Sequence, residues 1–311
     1  MAFIKHAGFE YIMQKKAHWH RGLLFLILAQ IMVGVNIVSS KVILSSIPLT
    51  FLLAMRFALA TIILFPLHWL SSARKFSLRY YFSQLNRRDW IFIFAQALSA
   101  GILFNCLMLL GLHYTDANVA GIITSTLPAI IAIMSWIILK EKIAAKQSLC
   151  IIFATIGLVI IAYDKLQGNH AIHSFFGDFI ILFSLLPEAT YYVLCKMHPN
   201  RLPVFITSAL MNGINAALIL PAGINHYFAT PALDLNTWWI LFILGLSSGL
   251  FYVFWYFGYQ LVDGIMASLS TAVMPVATVL LAWIILNEQL TVLQCVGMSL
   301  VLLSIVIYAK K

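Results

Sequence analysis

Hydrophobic residues follow one another in long runs along this chain, and short polar stretches separate the runs. A transmembrane helix needs about 20 apolar residues, and ten runs approach or exceed that length. They cover about residues 22–44, 47–69, 90–112, 117–139, 147–163, 176–195, 202–222, 237–260, 265–286 and 292–309. The pattern predicts an all-α integral membrane protein with ten transmembrane helices.

The composition supports a membrane protein. Of the 311 residues, 62% are hydrophobic and 9% are charged, and the mean hydropathy is +0.97. Soluble domains have about 25% charged residues. The apolar run from Gly22 is long enough to span and is not followed by a small-residue cleavage pattern. We therefore expect no cleavable signal peptide, and residues 1–21 are predicted to be a cytoplasmic N-terminal segment.

The charge of +9 is distributed unevenly about the predicted spans. With the N-terminus in the cytoplasm, sixteen of the nineteen Lys and Arg residues fall in the termini or inner loops, and only Lys41 and Lys165 face outward. This bias is typical of cytoplasmic loops. The charge therefore indicates topology rather than a nucleic-acid surface. We expect a multi-pass protein of the cell inner (cytoplasmic) membrane, with both termini cytoplasmic.

The two halves of the sequence resemble each other. A shift of 155 residues aligns positions of the first two spans with those of the sixth and seventh: Gly22 with Gly177, Lys41 with Lys196, Pro48 with Pro203 and Pro66 with Pro221. A shift of 147 residues aligns residues 103–163 with the end of the chain at sixteen identities. These include Pro128 with Pro275 and Trp136 with Trp283.

Each half holds five predicted spans, so the second half must enter the membrane from the opposite side. This 5+5 inverted-topology repeat is a recurring plan of secondary transporters, in which the substrate site lies near the midplane between the halves. The two repeats are predicted to cover residues 22–163 and 176–309.

With these features, the sequence resembles an EamA-type member of the drug/metabolite transporter superfamily. The resemblance rests on the repeat, on a Lys closing span one, on Arg56-Phe57 in span two, on Pro128 within span four and on the ending Trp-Ile-Ile-Leu-Lys-Glu. It implies a transporter that moves small metabolites, often amino acids or related compounds, commonly outward. In span six, Leu-Pro-Glu-Ala-Thr-Tyr-Tyr replaces the small-aromatic run more usual in that family. A difference in substrate or coupling is therefore expected there.

Polar side chains lie deep within the predicted spans. At 1.5 Å per residue, Arg56 is roughly 12 Å below the outer surface, and Glu188 is near the midplane. Ionisable groups at such depth cost at least a few kcal/mol and normally face a cavity or a partner. The candidate substrate or coupling residues are these two, four asparagines and two aromatic residues of span eight: Glu188, Arg56, Asn36, Asn105, Asn212, Asn215, Tyr252 and Trp255.

Structural roles remain open for all of these residues. The asparagines could join helices by hydrogen bonds, and Arg56 could pair with backbone carbonyls or an acidic neighbour. Burial disfavours the charged form of a carboxyl group. Glu188 could therefore exchange a proton, accept the amine of a zwitterion, or simply pair with Arg56. Its repeat partner is Val33, so the symmetry of the fold does not require a carboxylate at this position.

Three prolines lie within predicted spans: Pro128, Pro187 and Pro275. Proline removes a backbone donor and frees a carbonyl, and inside a membrane the freed groups must be met by neighbours or water. We expect helix kinks at all three. Those at Pro128 and Pro275 occupy equivalent repeat positions and would either shape a central cavity or serve packing alone.

The function predicted from the sequence is that of a secondary transporter of small metabolites. Export of amino acids or related zwitterionic or weakly polar solutes is favoured, because Arg56 is the one cation clearly inside a span. Uptake of a metabolite such as S-adenosylmethionine, or nucleotide-sugar exchange, is the alternative. A membrane-embedded enzyme is a more distant alternative, since the sequence has no HExxH motif, P-loop or dinucleotide-binding fingerprint. We expect no metal or cofactor, possible coupling to protons, and a monomer or homodimer.

The topology is testable with reporter fusions. A reporter after Lys311 should give a cytoplasmic signal, and one inserted near Gly168 should give a periplasmic signal, because the inner-side bias of Lys and Arg sets the orientation. A periplasmic signal at the C-terminus would contradict the ten-span inverted arrangement.

Overall fold

The computed structural model describes residues 2–71, 77–140, 175–198, 202–227, 233–262 and 270–309, with positions 145, 148–149, 152–153, 156 and 266–267 between them. The described residues are helical or in turns, and no strand occurs among them. The fold is thus all-α over these ranges. Most of the predicted span 147–163 lies outside them, and its five described positions are helical.

Long helices make up most of the described structure. In chain order they are α1 Ala2–Ile43, α2 Leu49–Leu70, α3 Leu78–Ser83, α4 Arg87–Ala97, α5 Phe104–Tyr114, α6 Ala117–Ile123, α7 Leu127–Leu139, α8 Phe175–Met197, α9 Val204–Tyr227, α10 Leu235–Tyr259, α11 Val273–Leu286 and α12 Val292–Ala309. A π-helical turn, Leu98–Leu103, joins α4 to α5, and a 3₁₀ turn, Thr124–Thr126, joins α6 to α7.

Seven helical stretches of the described residues are long and apolar enough to cross a membrane. They are Trp19–Ile43, Leu49–Leu70, Arg87–Tyr114, Val119–Leu139, Phe175–Met197, Val204–Gly223 and Leu235–Tyr259. Each coincides with one of the ten predicted spans. The ninth predicted span is represented by the shorter helix α11 and the tenth by α12. The ten-helix 5+5 arrangement itself stays a prediction.

Helix α1 is longer than the predicted first span. It begins at Ala2 and continues without a break into the apolar stretch.

The third span begins with a defined helix cap. The Asn86 side chain accepts from the Asp89 backbone N–H, and the Asp89 carboxylate accepts from the Asn86 N–H. This reciprocal capping box satisfies two backbone donors that a helix start leaves open.

The three prolines predicted to kink helices lie in two kinds of position, and the kinks themselves stay a prediction. Pro128 lies in the first turn of α7, directly after the 3₁₀ turn, and Pro275 lies in the first turn of α11. At these places the chain breaks regular α-helix and restarts it, which suits a proline because the first turn of a helix does not need its N–H. Helix α8, in contrast, stays helical through Pro187.

Equivalent positions of the two halves also end their helices alike. Lys140 closes α7 with φ 54°, and Asn287, which is 147 residues later, closes α11 with φ 53°. Both are left-handed C-terminal caps, a conformation that few residues adopt without strain. The similarity of sequence therefore extends to local backbone geometry at these two ends.

Two close backbone contacts repeat between the halves. A Cβ added at Gly258 on α10 would lie 2.8 Å from the carbonyl oxygen of Gly22 on α1, and one added at Gly177 on α8 would lie 3.1 Å from that of Gly111 on α5. Gly22 and Gly177 are related by the 155 shift, and Gly111 and Gly258 by the 147 shift. Small residues let membrane helices approach closely, so the same contact between a helix of one half and a helix of the other is built twice.

These glycine contacts lie on opposite sides of the bundle. Lys41, at the end of α1, donates to the carbonyl oxygens of Leu112 and Thr115 at 2.7 Å each, so the end of α1 lies beside the end of α5. Gly111 is close to that end, whereas Gly22 is a helix length away near the other end of the first span. Opposed placement of equivalent contacts is what an inverted repeat requires.

The glycine contact between α1 and α10 can be tested by adding one methyl group. We expect Gly258→Ala to lower the melting temperature of the detergent-purified protein, because overpacking costs typically about 1–3 kcal/mol and the nearest atoms include the backbone of Gly22. Gly213→Ala is the matched control, since a Cβ there meets its nearest atom, Thr61 Cγ2, at 3.5 Å. Equal melting temperatures for the two variants would contradict this packing.

Candidate functional site

A cavity lies between α1, α2, the third span, α8 and α10. Its walls consist of fifteen residues: Val33, Asn36, Ile37, Ser40, Arg56, Phe57, Ala100, Phe104, Asn105, Met108, Leu109, Glu188, Ser248, Phe251 and Tyr252. Most of the walls are aliphatic or aromatic, and two of the lining residues carry a charged group. Apolar walls with a few convergent polar groups are a feature of small-molecule sites, although the volume of this cavity, about 30 Å³, is well below their usual roughly 300–1,000 Å³.

Arg56 supplies the positive charge of the cavity. Its side chain is 2% exposed, and its guanidinium carbon lies 5.0 Å from the centre of the neighbouring Phe57 ring. The buried Nε has no hydrogen-bond partner, and no acidic residue of the described part of the chain forms an ion pair with it. The guanidinium thus retains free donors beside the cavity.

Glu188 supplies the ionisable carboxyl group of the cavity. It is 1% exposed, and Tyr192 lies one turn further along the same helix α8. Gln30 Nε2 donates to the Tyr192 hydroxyl oxygen at 3.3 Å. Glu188 Oε2 is buried and has no partner. Tyr192 is thus tied to α1, and Glu188 keeps a buried carboxyl oxygen that is open to a ligand.

The two cavity asparagines are held differently. Asn36 Nδ2 donates to Ser247 Oγ and to the Met32 carbonyl, both at 3.0 Å, so this side chain joins α1 to α10. Asn105 Nδ2 donates to the carbonyl oxygens of Ala100 at 2.9 Å and Gly101 at 2.7 Å, within its own span. Asn36 is therefore a helix-to-helix tie, which is the structural alternative that the sequence left open.

Five of the eight candidate residues thus lie around one cavity, and three do not. Asn212 and Asn215 are buried on α9, where each amide nitrogen donates to a carbonyl one turn earlier, at 2.9 and 2.8 Å. Asn215 packs against Gly101 of the π-turn, so closely that a Cβ there would lie 1.9 Å from its amide nitrogen. Trp255 is packed among aromatic rings, with its ring centre 4.5 Å from that of Tyr192.

Sequence reasoning missed ten of the lining residues, mostly apolar ones. The internal repeat carried a usable signal for some of them. The 147 shift relates Phe104 to Phe251, which are identical and both line the cavity. It also relates Asn105 to Tyr252. The cavity is therefore lined by repeat-equivalent positions, and a search for such pairs deep in the spans would have found these phenylalanines.

Helix α8, which carries Glu188, is tied to the third span at both ends. At its start, Thr115 Oγ1 donates to Asp178 Oδ1 at 2.9 Å. At its end, His198 Nε2 lies 2.5 Å from Asp89 Oδ1. The same Asp89 completes the capping box of α4, so the cap and the tie share one carboxylate. These two connections, together with the packing of α8 against α5 and α7, hold the helix that carries Glu188 beside the third span.

No group of three or more His, Cys, Asp or Glu residues that could hold a metal ion occurs within the described ranges. The cavity itself offers one carboxylate and neutral oxygen atoms. The expectation that the protein needs no metal or cofactor stays a prediction.

Comparison with known proteins places this chain in a family. The family model described as the EamA-like transporter family matches residues 20–163 and again residues 175–309. A Bacillus subtilis protein named uncharacterized transporter YetK is 25% identical over 308 residues, which cover 97% of this chain and 89% of the relative. An uncharacterized transporter of Archaeoglobus fulgidus is 28% identical over 223 residues, 70% of this chain and 77% of the relative.

The fold also has a counterpart among solved structures. A crystal structure with 16% sequence identity superposes with a TM-score of 0.70 and covers 93% of this chain and 98% of the other. At this identity the likeness concerns the fold alone. The two matches to the family model together cover most of the chain, and the relatives are named as transporters. This multi-pass membrane protein belongs to the EamA-like transporter family.

Proposed function

We propose that the protein exports amino acids or related zwitterionic, weakly polar solutes across the cytoplasmic membrane by alternating access. One observation carries the proposal. Arg56 and Glu188 line the same cavity, both are buried, and neither has an ion-pair partner among the described residues. A zwitterion offers a carboxylate to the first group and an ammonium to the second.

Electrostatics favours a zwitterion over a singly charged solute. A buried charge without a partner costs several kcal/mol, and an opposite charge offsets this only when hydrogen bonds accompany it. The planar guanidinium matches a carboxylate with two parallel hydrogen bonds. A solute that carries both charges would compensate both groups at once, whereas an anion or a cation alone would leave one of them unpaired.

The walls support a cargo with an apolar side chain. Phe57, Phe104, Phe251 and Tyr252 bring four aromatic rings to the cavity, and aliphatic residues fill much of the remaining wall. Burial of apolar area contributes roughly 25 cal/mol per Å², so these walls would stabilise the uncharged part of a bound solute. A large polyanion has no comparable set of cations in this cavity.

Alternating access requires that the contacts at the two ends of α8 change in turn. The tie from Asp178 to Thr115 and the tie from His198 to Asp89 close the two ends of the same pair of spans. Loosening one contact while keeping the other would open the cavity toward one side only.

The proposed outward direction of transport is based on the family resemblance. The proposed cytoplasmic location of the termini is based on the uneven distribution of Lys and Arg.

The role of Arg56 is tested by counterflow of labelled L-leucine in proteoliposomes. We expect Arg56→Leu to fold yet weaken leucine binding by roughly 30-fold or more, since truncating one partner of a buried charge pair costs about 2–5 kcal/mol. Arg56→Lys should show a smaller loss, because it keeps the charge but not the planar fork. The exposed Arg79→Leu is the control. Wild-type transport by Arg56→Leu would contradict this role, and poor folding of both Arg56 variants would indicate a structural one.

The role of Glu188 is tested by separating exchange from accumulation. Glu188→Gln keeps the shape of the side chain and cannot ionise. If Glu188 carries the coupling proton, this variant should still exchange labelled leucine at raised concentration, with weaker binding because the ammonium loses its charged partner, but it should lose accumulation driven by a pH gradient. Glu288→Gln is the matched control, because Glu288 accepts from the Ala117 N–H outside the cavity lining. Accumulation by Glu188→Gln with the wild-type pH dependence would exclude proton coupling at this residue.

A further inference from the structure

The π-turn Leu98–Leu103 interrupts the third span at the level of the cavity. Ala100 within it lines the cavity, and so do Phe104 and Asn105 directly after it. The 147 shift places the equivalent turn at residues 245–250, where α10 is regular α-helix. π-turns inside α-helices are rare and frequently occur at functional sites. This one distinguishes the two halves of the protein at the cavity wall.

The π-turn determines how Asn105 is oriented. Both hydrogens of its amide nitrogen are used, one toward the Ala100 carbonyl and one toward the Gly101 carbonyl. Flipping the amide would turn its oxygen toward two carbonyl oxygens and lose both bonds. The oxygen Oδ1 is therefore the acceptor that Asn105 has left, and no donor from the described part of the chain is hydrogen-bonded to it.

Glu188 offers a second acceptor to the cavity from α8. Its carboxyl group is buried, and it lies one turn from Tyr192, whose hydroxyl oxygen accepts from Gln30 of α1. The second carboxyl oxygen, Oε2, remains unpartnered. Helix α8 packs against the π-turn, and Glu188 and Asn105 line the same cavity. Two acceptors from neighbouring helices thus line the same cavity, and the hydrogen bonds of Asn105 to the π-turn fix the orientation of one of them.

An ammonium group has three N–H donors and no acceptor. One carboxylate oxygen can satisfy one of these donors, and the others need further acceptors once the solute has left water. We infer that Asn105 Oδ1 and Glu188 together form an ammonium subsite, with Asn105 as a specificity-determining residue that the π-turn positions. The inference deepens the proposed function, because it assigns the amine end of the cargo to named atoms.

The subsite should select cations by their N–H donors and not by charge alone. A quaternary ammonium of the same chain length carries the charge but cannot donate to Asn105. A hydrogen bond to a charged group is worth about 1.5–3 kcal/mol, so the preference for a primary amine over its trimethylated analogue should be at least roughly tenfold. Arg56 is not part of this subsite, and its removal should leave that preference in place.

The test compares n-butylammonium with n-butyltrimethylammonium as ligands of the purified full-length protein in detergent, measured by thermal-shift titration. We expect the wild type to bind the primary amine at least about tenfold more tightly. Asn105→Leu should lose most of that preference. Asn212→Leu is the matched control, since it replaces a buried asparagine outside the cavity and should leave the preference unchanged.

Asn105→Asp provides a second variant in case Asn105→Leu does not fold. It keeps an acceptor in the cavity and should retain the preference for the primary amine, although it loses both donors to the π-turn. Equal binding of the two probes by the wild type would overturn the inference, and so would an Asn105→Leu variant with the wild-type preference.

The outcomes also separate the subsite from the proposed cargo. An Asn105-dependent preference for the primary amine, without leucine counterflow, would support the subsite and exclude leucine-like amino acids as cargo. Leucine counterflow without any preference between the two amines would support the proposed function and overturn the subsite.

Discussion

A charge inside a membrane must face a cavity or a partner, and the centre of this protein is arranged around that constraint. Moving Arg or Glu to the middle of a transmembrane helix costs about 2.5–3.5 kcal/mol or more. Arg56 and Glu188 are nevertheless fully buried and do not pair with each other. They instead line one cavity, with the guanidinium against Phe57 and with one carboxyl oxygen of Glu188 buried and unpartnered. The surrounding helices therefore position both groups where a bound solute could compensate them.

The framework that holds the cavity is symmetric, but its walls are not. The glycine contacts of α1 with α10 and of α5 with α8 are equivalent under the repeat and lie on opposite sides. At the cavity, Glu188 stands where the other half has Val33, and Asn105 stands where the other half has Tyr252. The glycine contacts repeat because the helices of the two halves pack in the same way. A solute with two different ends needs different side chains at repeat-equivalent positions of the cavity wall. The halves therefore differ at two polar positions of the cavity wall, although they share Phe104 and Phe251 there.

Sequence reasoning predicted the helices well because the bilayer imposes their length, and seven predicted spans coincide with long apolar helices. It also placed residues by depth, through the rise per residue. Depth does not say which way a side chain points around its helix. Asn105 and Asn215 both lie in the middle third of their spans, yet one lines the cavity and the other packs against Gly101 on the far side of the π-turn. That direction depends on helix packing, which a single sequence does not contain.

The π-turn was not predictable for a related reason. Leu98–Leu103 reads Leu-Ser-Ala-Gly-Ile-Leu, which carries no pattern distinct from the apolar helix around it. The wide turn is accompanied by contacts from elsewhere, because Asn215 packs on Gly101 and the Asn105 amide meets two carbonyls of the turn. Pro128 and Pro275 were visible in the sequence because proline alters the backbone by its own chemistry. The asparagines act only through neighbours, so their effect on the backbone appears only in the folded chain.

The balance of charges in the cavity bears on what could drive transport. With Arg56 positive and Glu188 negative, the lining has no net charge, and a zwitterionic cargo adds none. Turning such a cavity from one side to the other moves no net charge through the membrane field, which acts with about 2.3 kcal/mol per charge per 100 mV. The membrane potential would then supply no energy to the loaded step. A proton on Glu188 makes the cavity positive by one charge and couples its reorientation to both the pH gradient and the potential. On the proposed function, the protonation of this one carboxyl group therefore decides whether the protein equilibrates its cargo or accumulates it.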